Sequence, residues 1–173
     1  MTDYPDPDIL ANLAHNVAAL RAQCAVCLDA CGLAWGDAAQ EAAVRARLGG
    51  ARSEVLLAAD VLWVSSQHAN LLHSLCALLA RTPTARCLVV AGFHTGRLAA
   101  ARFFDAAAAV GLVPDAAAAH GGLYERSVLG AERPWMGADD LGDISERARW
   151  VLVGCLCWAD LVLSLIHISE PTR

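Results

Sequence analysis

Two stretches of the chain are short and continuously apolar, a pattern typical of parallel strands that are buried on both faces of a sheet. They span residues 53–60 and residues 86–93. Each is followed by apolar positions at helical spacing, over residues 67–79 and residues 98–110. Because a right-handed crossover places a helix between neighbouring parallel strands, this part of the chain predicts an α/β fold, a parallel sheet covered by helices on both faces.

The start of the chain predicts a further unit of the same kind. Prolines in the acidic turn at residues 3–8 suit the beginning of a helix, and residues 9–20 are apolar at helical spacing. We expect a short strand around residues 32–36 and a last strand, antiparallel to the others, over residues 149–157. Open α/β folds bind nucleotides with a glycine-rich turn and an acidic residue after the second strand, and only the acidic turn occurs here.

Composition narrows the class of protein. The chain has 173 residues, of which 57% are hydrophobic and 18% charged, so it is rich enough in apolar residues to bury a core. A net charge of −5 argues against a nucleic-acid partner, whose binding requires a basic surface. Seven cysteines and no signal-peptide pattern favour a reduced, cytoplasmic protein. We expect a monomer.

The last apolar run, residues 150–168, is long enough to cross a bilayer. Asp160 would lie near the middle of such a span, which costs about 3 kcal/mol. Residues 164–173 look like a translated sequencing adaptor, a string that recurs at the ends of unrelated gene models. We therefore predict a partial domain at residues 1–162, a non-native tail at residues 163–173 and no membrane partner. A tail-anchored membrane protein is the lesser alternative.

Four segments of the sequence carry a resemblance to one family. They are Asp3-Tyr4-Pro5-Asp6-Pro7-Asp8, Trp35-Gly36, the stretch from Ala59-Asp60-Val61-Leu62-Trp63 into Ser66-Gln67-His68, and Phe93-His94. In these segments the chain resembles the seven-strand S-adenosylmethionine-dependent methyltransferases of the lysine methyltransferase-like branch. It is most similar there to the fungal nicotinamide N-methyltransferase-like proteins, which methylate the N-terminus and lysines of translation elongation factor 1-alpha. The resemblance implies a Rossmann-like sheet that is incomplete, with the first βα unit missing.

The resemblance also implies that S-adenosyl-L-methionine is the cofactor, and it assigns three residues to it. Asp3 stands at the end of the family's second strand, where an acidic residue accepts hydrogen bonds from the ribose hydroxyls. Trp35 matches a tryptophan that lies near the adenine, where a flat apolar ring suits a purine face. Ala59, which directly precedes Asp60, is the third residue assigned to the cofactor.

Four further residues are assigned to catalysis and to the substrate. Methyl transfer to nitrogen from an activated sulfonium requires alignment and a way to deprotonate the amine. The positions of Asp60 and His94 imply that they orient the amine or stabilise its charge. Trp63 and His68 are expected to contact the substrate, and Trp63 departs from the phenylalanine or tyrosine that is usual in the family.

Two other kinds of site fit the sequence less well. Cys24, Cys27 and Cys31 have a spacing that occurs in zinc and iron–sulfur sites, but no second pair follows at a suitable distance, so we predict no metal. No nucleophile elbow accompanies the serines near His68, which argues against a hydrolase.

The predicted function, implied by the resemblance, is N-methylation of a protein amine, with elongation factor 1-alpha as the leading substrate. A lysine, an N-terminus and a small molecule all stay open as the acceptor. Because the first βα unit is missing, the chain is expected to be inactive on its own. The alternative is an inactive methyltransferase fragment or a partner-binding remnant.

Overall fold

The structure, a computed structural model, describes residues 1–25, 27–138 and 148–161. The chain divides into two units, Met1–Ala51 and Arg52–Arg173, and each contains its own sheet. The predicted non-native tail lies outside the described residues. No helix within the described part combines the length and the apolar character that a bilayer crossing requires.

The first unit contains a small parallel sheet, strands β1 (Thr2–Asp3) and β2 (Cys31–Gly32). Helix α1 (Pro7–Arg21) connects them, which confirms the helix predicted over residues 9–20. It begins after Asp6, whose Oδ1 accepts hydrogen bonds from the N–H groups of Asp8 and Ile9 at 2.9 and 3.2 Å. The strand expected around residues 32–36 lies slightly earlier and is only two residues long.

Helix α2 (Ala38–Arg47) completes this unit and was not predicted. Its sequence is mostly alanine, arginine and glutamine, so it lacks the apolar stripe by which amphipathic helices are recognised. Its beginning is defined instead by Asp37, whose Oδ1 accepts hydrogen bonds from the N–H groups of Ala39 and Gln40, both at 3.0 Å.

The second unit is a mixed sheet with the strand order β3-β4-β8-β6-β7 and a further strand, β5, paired with β8. Strands β3 (Val55–Ala59) and β4 (Arg86–Gly92) are parallel, as predicted. Strand β8 (Trp150–Trp158) is antiparallel to β4, which confirms the expected last strand. The unpredicted strands are short and antiparallel to their neighbours: β5 (Leu112–Pro114), β6 (Leu123–Ser127) and β7 (Glu132–Pro134). The α/β class is confirmed, while the sheet of this unit is parallel only between β3 and β4.

Two helices, α3 (His68–Leu78) and α4 (Arg97–Ala109), confirm the helical patterns and form the core with the sheet. Their buried side chains include Leu71, Leu75 and Phe103. Helix α4 comes so close to β8 that a Cβ at Gly154 would lie 2.7 Å from the Phe104 ring. Only glycine fits there without displacing the core.

The sheet of the second unit is not buried on both faces as its apolar strands predict. Side chains alternate between the two faces of a strand. Ala58 and Val89 are buried, whereas Val55 is 56% and Leu57 75% exposed, and Val90 on the neighbouring strand is 37% exposed. The continuous apolar pattern therefore predicts both strands correctly, but the prediction that they are buried on both faces is wrong.

Candidate functional site

An open cavity of about 660 Å³ lies where β3 and β4 end. The carboxyl ends of parallel strands meet at one edge of a sheet, and this edge is the usual ligand-binding place in open α/β folds. Its lining consists mainly of residues at or just after the ends of these strands and at the start of β8: Ala59, Asp60, Val90, Ala91, Gly92, Phe93, His94, Ala148, Trp150 and Val151. The cavity is therefore the candidate active site of this unit.

Asp60 directly follows β3 and turns the chain away from the sheet. Its backbone N–H donates a hydrogen bond of 2.7 Å to the carbonyl oxygen of Val90, which continues the pairing of β3 with β4 by one residue. Its φ of +53° lies in the left-handed region that non-glycine residues rarely adopt. Strained backbone of this kind persists where surrounding structure holds it and is frequent at functional sites. The conformation leaves the carboxylate exposed at the cavity.

His94 comes two residues after β4 and faces Asp60. Its Nε2 lies 3.7 Å from the Asp60 Oδ1, within reach of a charge interaction when the imidazole is protonated. Both side chains are about two-thirds exposed. A Cβ at Gly92 would lie 2.8 Å from the His94 Nε2, so the imidazole rests on a surface that only glycine provides. The two residues assigned to catalysis are thus brought together, with a carboxylate and an imidazole open to a ligand.

Trp63 and His68 lie in and after the loop that follows Asp60, and their environments differ. The Trp63 side chain is 57% exposed. His68 is buried: its Nε2 lies 2.9 Å from the carbonyl oxygen of Leu62, and its ring meets the edge of Phe103 at a centroid distance of 5.3 Å. Neither side chain belongs to the described lining of the cavity. His68 anchors both ends of the loop, and Trp63 is the side chain that this loop exposes.

The two candidate nucleoside ligands, Asp3 and Trp35, belong to the first unit. Asp3 ends β1, and its exposed carboxylate accepts a 2.7 Å hydrogen bond from the backbone N–H of Tyr4. Trp35 is half-buried and follows β2, the parallel neighbour of β1. Asp3 therefore lies at, and Trp35 just beyond, the carboxyl end of one of two paired parallel strands. An exposed carboxylate at such an end fits a ribose diol, and an indole fits the purine beside it.

A buried ion cluster stands behind one wall of the cavity, and sequence reasoning missed it. Glu125 on β6 is fully buried and accepts two hydrogen bonds from Arg97, of 2.5 and 2.7 Å. The Nε of Arg133 donates at 2.8 Å and the backbone N–H of Met136 at 3.1 Å. Burial alone would raise the pKa of Glu125, but these donors outweigh it and hold the pKa below its usual value. Glu125 is therefore a carboxylate at neutral pH.

Two further lining residues, Phe93 and Trp150, were also absent from the predicted site. A weak signal for this region existed at Gly92, because glycine inside an apolar strand often marks a close approach of another group. Phe93 and Trp150 carried no such signal. Phe93 follows β4 and Trp150 begins β8, and the antiparallel pairing of these two strands brings both residues to the cavity.

Comparison with known proteins gives one informative similarity. No family model matches the chain. The chain is 30% identical over 92 residues to the "Protein N-terminal and lysine N-methyltransferase efm7" of Aspergillus fumigatus. The match covers 52% of this chain and 36% of the relative, so the chain spans about a third of that protein's length. Together with the mixed sheet and its helices, this similarity supports a methyltransferase-like fold. The predicted fold class, a Rossmann-like methyltransferase sheet, is confirmed.

Proposed function

We propose that the chain is part of an S-adenosylmethionine-dependent methyltransferase that modifies a protein amine. The observation that carries the proposal is the Asp60–His94 pair, exposed in a cavity at the carboxyl ends of β3 and β4 within a methyltransferase-like fold. The Aspergillus relative, whose name gives protein N-termini and lysines as its targets, supports an amine as the acceptor. Elongation factor 1-alpha is the substrate we propose to test first, and we place the protein in the cytoplasm as a monomer.

The Asp60–His94 pair suits the one chemical task that the acceptor needs. A lysine amine has a pKa of about 10.4, so it arrives protonated and without a free lone pair. Asp60 attracts the ammonium group, and the neutral His94 imidazole accepts one proton from it at Nε2. The Asp60 carboxylate, 3.7 Å away, stabilises the imidazolium that results. The amine is left neutral and nucleophilic, and the proton passes from His94 to solvent.

Asp3, Trp35 and Ala59 are the residues that we propose to test for cofactor binding. S-adenosyl-L-methionine, when bound, supplies the methyl group on an activated sulfonium. Asp3 would accept hydrogen bonds from the ribose hydroxyls, and Trp35 would lie against the adenine. Ala59, with a single exposed methyl group at the end of β3, would let a ligand approach the strand end closely.

Trp63 suits recognition of the acceptor amine. Its indole is more than half exposed on the loop that follows Asp60. An exposed indole face attracts an ammonium or methylammonium ion by about 0.5–1 kcal/mol. His68 acts on this recognition through the loop, because its buried ring holds the Leu62 carbonyl one residue before Trp63.

The test is methylation of elongation factor 1-alpha by a chimera that joins the chain to a first βα unit from the Aspergillus relative, and by the Asp60→Asn and His94→Gln variants of that chimera. We expect each variant to lower turnover by about 10²-fold, with little change in binding of S-adenosylhomocysteine. Asp105→Asn, which alters an exposed carboxylate on α4, is the matched control and should behave like the parent. An acceptor with an acetylated N-terminus distinguishes lysine from N-terminal transfer.

Two results would count against the proposal. Equal turnover in all variants would remove the Asp60–His94 pair from catalysis. A parent that neither transfers methyl groups nor binds S-adenosylhomocysteine, even when it is joined to a first βα unit from the Aspergillus relative, would favour the alternative of an inactive fragment or a partner-binding remnant.

A further inference from the structure

The buried cluster around Glu125 connects elements that are far apart in the sequence. Arg97 begins α4, Glu125 lies on β6, and Arg133 lies on β7. All three converge on one carboxylate with no exposed surface, whose two oxygens accept bonds from both guanidinium groups. A carboxylate that is already occupied in this way is unsuited to accept a proton from a substrate. Its role must therefore lie in what it holds in place.

Each arginine of the cluster is also in contact with aromatic rings. The guanidinium carbon of Arg97 lies 4.5 Å from the ring centroid of Phe93 and 5.2 Å from that of Trp135, and these two rings stack at 6.0 Å. The guanidinium carbon of Arg133 lies 3.8 Å from the ring centroid of Trp150. Planar stacking of this kind is a property of arginine that lysine does not share. Glu125 thus fixes two guanidinium planes, and each plane fixes an aromatic ring.

Two of the rings that are held in this way form the cavity wall. Phe93 and Trp150 both line the cavity, and Phe93 is joined by its peptide bond to His94. We infer that Glu125 is a positioning residue, which sets the Trp150 and Phe93 walls of the candidate active site through Arg133 and Arg97. The consequence for methyl transfer rests on the proposed function, while the consequence for the two aromatic rings does not.

Arg133 is the residue to substitute in the experiment. Its side chain is one-third exposed on a short strand, and its replacement leaves the Glu125–Arg97 ion pair intact. The protein is labelled with 5-fluorotryptophan, and the ¹⁹F resonance of Trp150 is identified by its absence in Trp150→Phe. The chain contains five tryptophans, so the resonances can be assigned one by one. We expect Arg133→Met to shift and broaden the Trp150 resonance. Arg133→Lys should shift it as well, because the ammonium keeps the charge and loses the stacked plane.

Arg126→Met is the matched control, since Arg126 is an exposed arginine on β6 that pairs with Glu132 at 3.5 Å. It should leave the Trp150 resonance unchanged. In the methylation assay, Arg133→Met should raise KM about fivefold, the size expected for loss of one cation–π contact, with a smaller effect on kcat. The Asp60–His94 chemistry should stay intact.

The outcomes separate this inference from the proposed function. A Trp150 resonance that is unmoved in Arg133→Met, or that moves equally in Arg126→Met, would overturn the positioning role. A resonance that moves in the Arg133 variants alone supports that role even if the parent transfers no methyl group, in which case only the proposed function fails. Changed methylation with an unmoved Trp150 resonance would likewise overturn the inference, because the effect would reach the site by another route.

Discussion

Asp60 and Glu125, both in the second unit, are carboxylates in opposite environments. Asp60 is about two-thirds exposed and faces one histidine at 3.7 Å. Glu125 is fully buried and accepts hydrogen bonds from two arginines and a backbone N–H. In water-exposed surroundings an ion pair contributes little stability, about 0–1 kcal/mol. A buried ion cluster depends on every partner, because each unpaired charge would be costly.

The two environments suit the two carboxylates to different roles. Asp60 keeps its oxygens available, so it can meet an incoming cation, and its strained backbone contributes to presenting them. Glu125 has no capacity left for a substrate and instead orders the residues around it. The exposed carboxylate is therefore the one suited to chemistry, and the buried one is suited to building the surface on which the chemistry would occur.

The largest effect should come from breaking the buried cluster on one side only. Glu125→Leu leaves Arg97 buried without its carboxylate, and we expect the free energy of unfolding to fall by about 3–5 kcal/mol. Urea denaturation at pH 7 measures the change. In the double variant with Arg97→Met the loss should be smaller, since both charges are then gone. A loss below 1 kcal/mol for the single variant would contradict the view that the cluster organises the unit.

The next effect concerns an exposed carboxylate, Asp3, and should appear in binding and not in stability. In a chimera that carries a first βα unit from the Aspergillus relative, Asp3→Ala should weaken S-adenosylmethionine binding by about 1.5–3 kcal/mol, the cost of losing hydrogen bonds to a charged group. Asp60→Ala should leave this affinity nearly unchanged and lower turnover. Calorimetric titration and a methylation assay check both variants. Identical profiles for the two substitutions would remove the distinction between a cofactor carboxylate and an amine-side carboxylate.

Acid titration sharpens the comparison further. The pKa of Glu125 is lowered in the folded protein, so the unfolded chain binds its proton at a higher pH than the folded chain does. The stability contributed by this group is therefore complete above its unfolded pKa, near 4.3, and is lost as the pH falls through the lower folded value. Glu125→Gln should flatten the fall in stability below about pH 4.3. Urea denaturation at a series of pH values measures this curve, and an equally steep fall in Glu125→Gln and in the parent would contradict the expectation.

The sequence was most informative where its pattern was strongly apolar. Strands β3 and β4 could be predicted because each is a continuous apolar run, and helices α3 and α4 because their apolar positions recur at helical spacing over more than ten residues. Strand β6 could not be, because its five residues include Tyr124, Glu125 and Arg126 and look like solvent-exposed surface. Glu125 is nevertheless fully buried, since Arg97, 28 residues away, reaches it in the folded chain. No local pattern contains that pairing.

The candidate site divides in a similar way. Placing Asp60 and His94 side by side required only that each follow a parallel strand, which the apolar runs already indicated. The aromatic wall required knowing that β8 pairs antiparallel with β4 in the register that sets Gly92 opposite Val151. Register follows from packing across the whole sheet, so Trp150 could not be assigned to the cavity in advance.

The smallest expected effect on stability comes from substituting Gly92 with alanine. The same substitution at Gly154 is the comparison. A Cβ at Gly92 would meet the His94 ring at 2.8 Å, and one at Gly154 would meet the Phe104 ring at 2.7 Å. The distances are nearly equal, but His94 is 68% exposed and can move into solvent, whereas Phe104 is packed in the core. Gly92→Ala should therefore change the free energy of unfolding by less than about 0.5 kcal/mol, while Gly154→Ala should lower it by about 1–3 kcal/mol.

Activity should follow the opposite order for these two glycines. Gly92→Ala displaces His94 from its place beside Asp60, so turnover should fall severalfold in a protein whose thermal midpoint is nearly unchanged. Gly154→Ala should lower the midpoint and, at temperatures where it stays folded, retain most of the parent's turnover because β8 is distorted beneath α4 and away from the histidine. Thermal denaturation and methylation measured on both variants provide the comparison. If Gly92→Ala kept full activity, the position of the His94 ring against Gly92 would not matter for the reaction. A group other than His94 would then have to accept the proton from the amine.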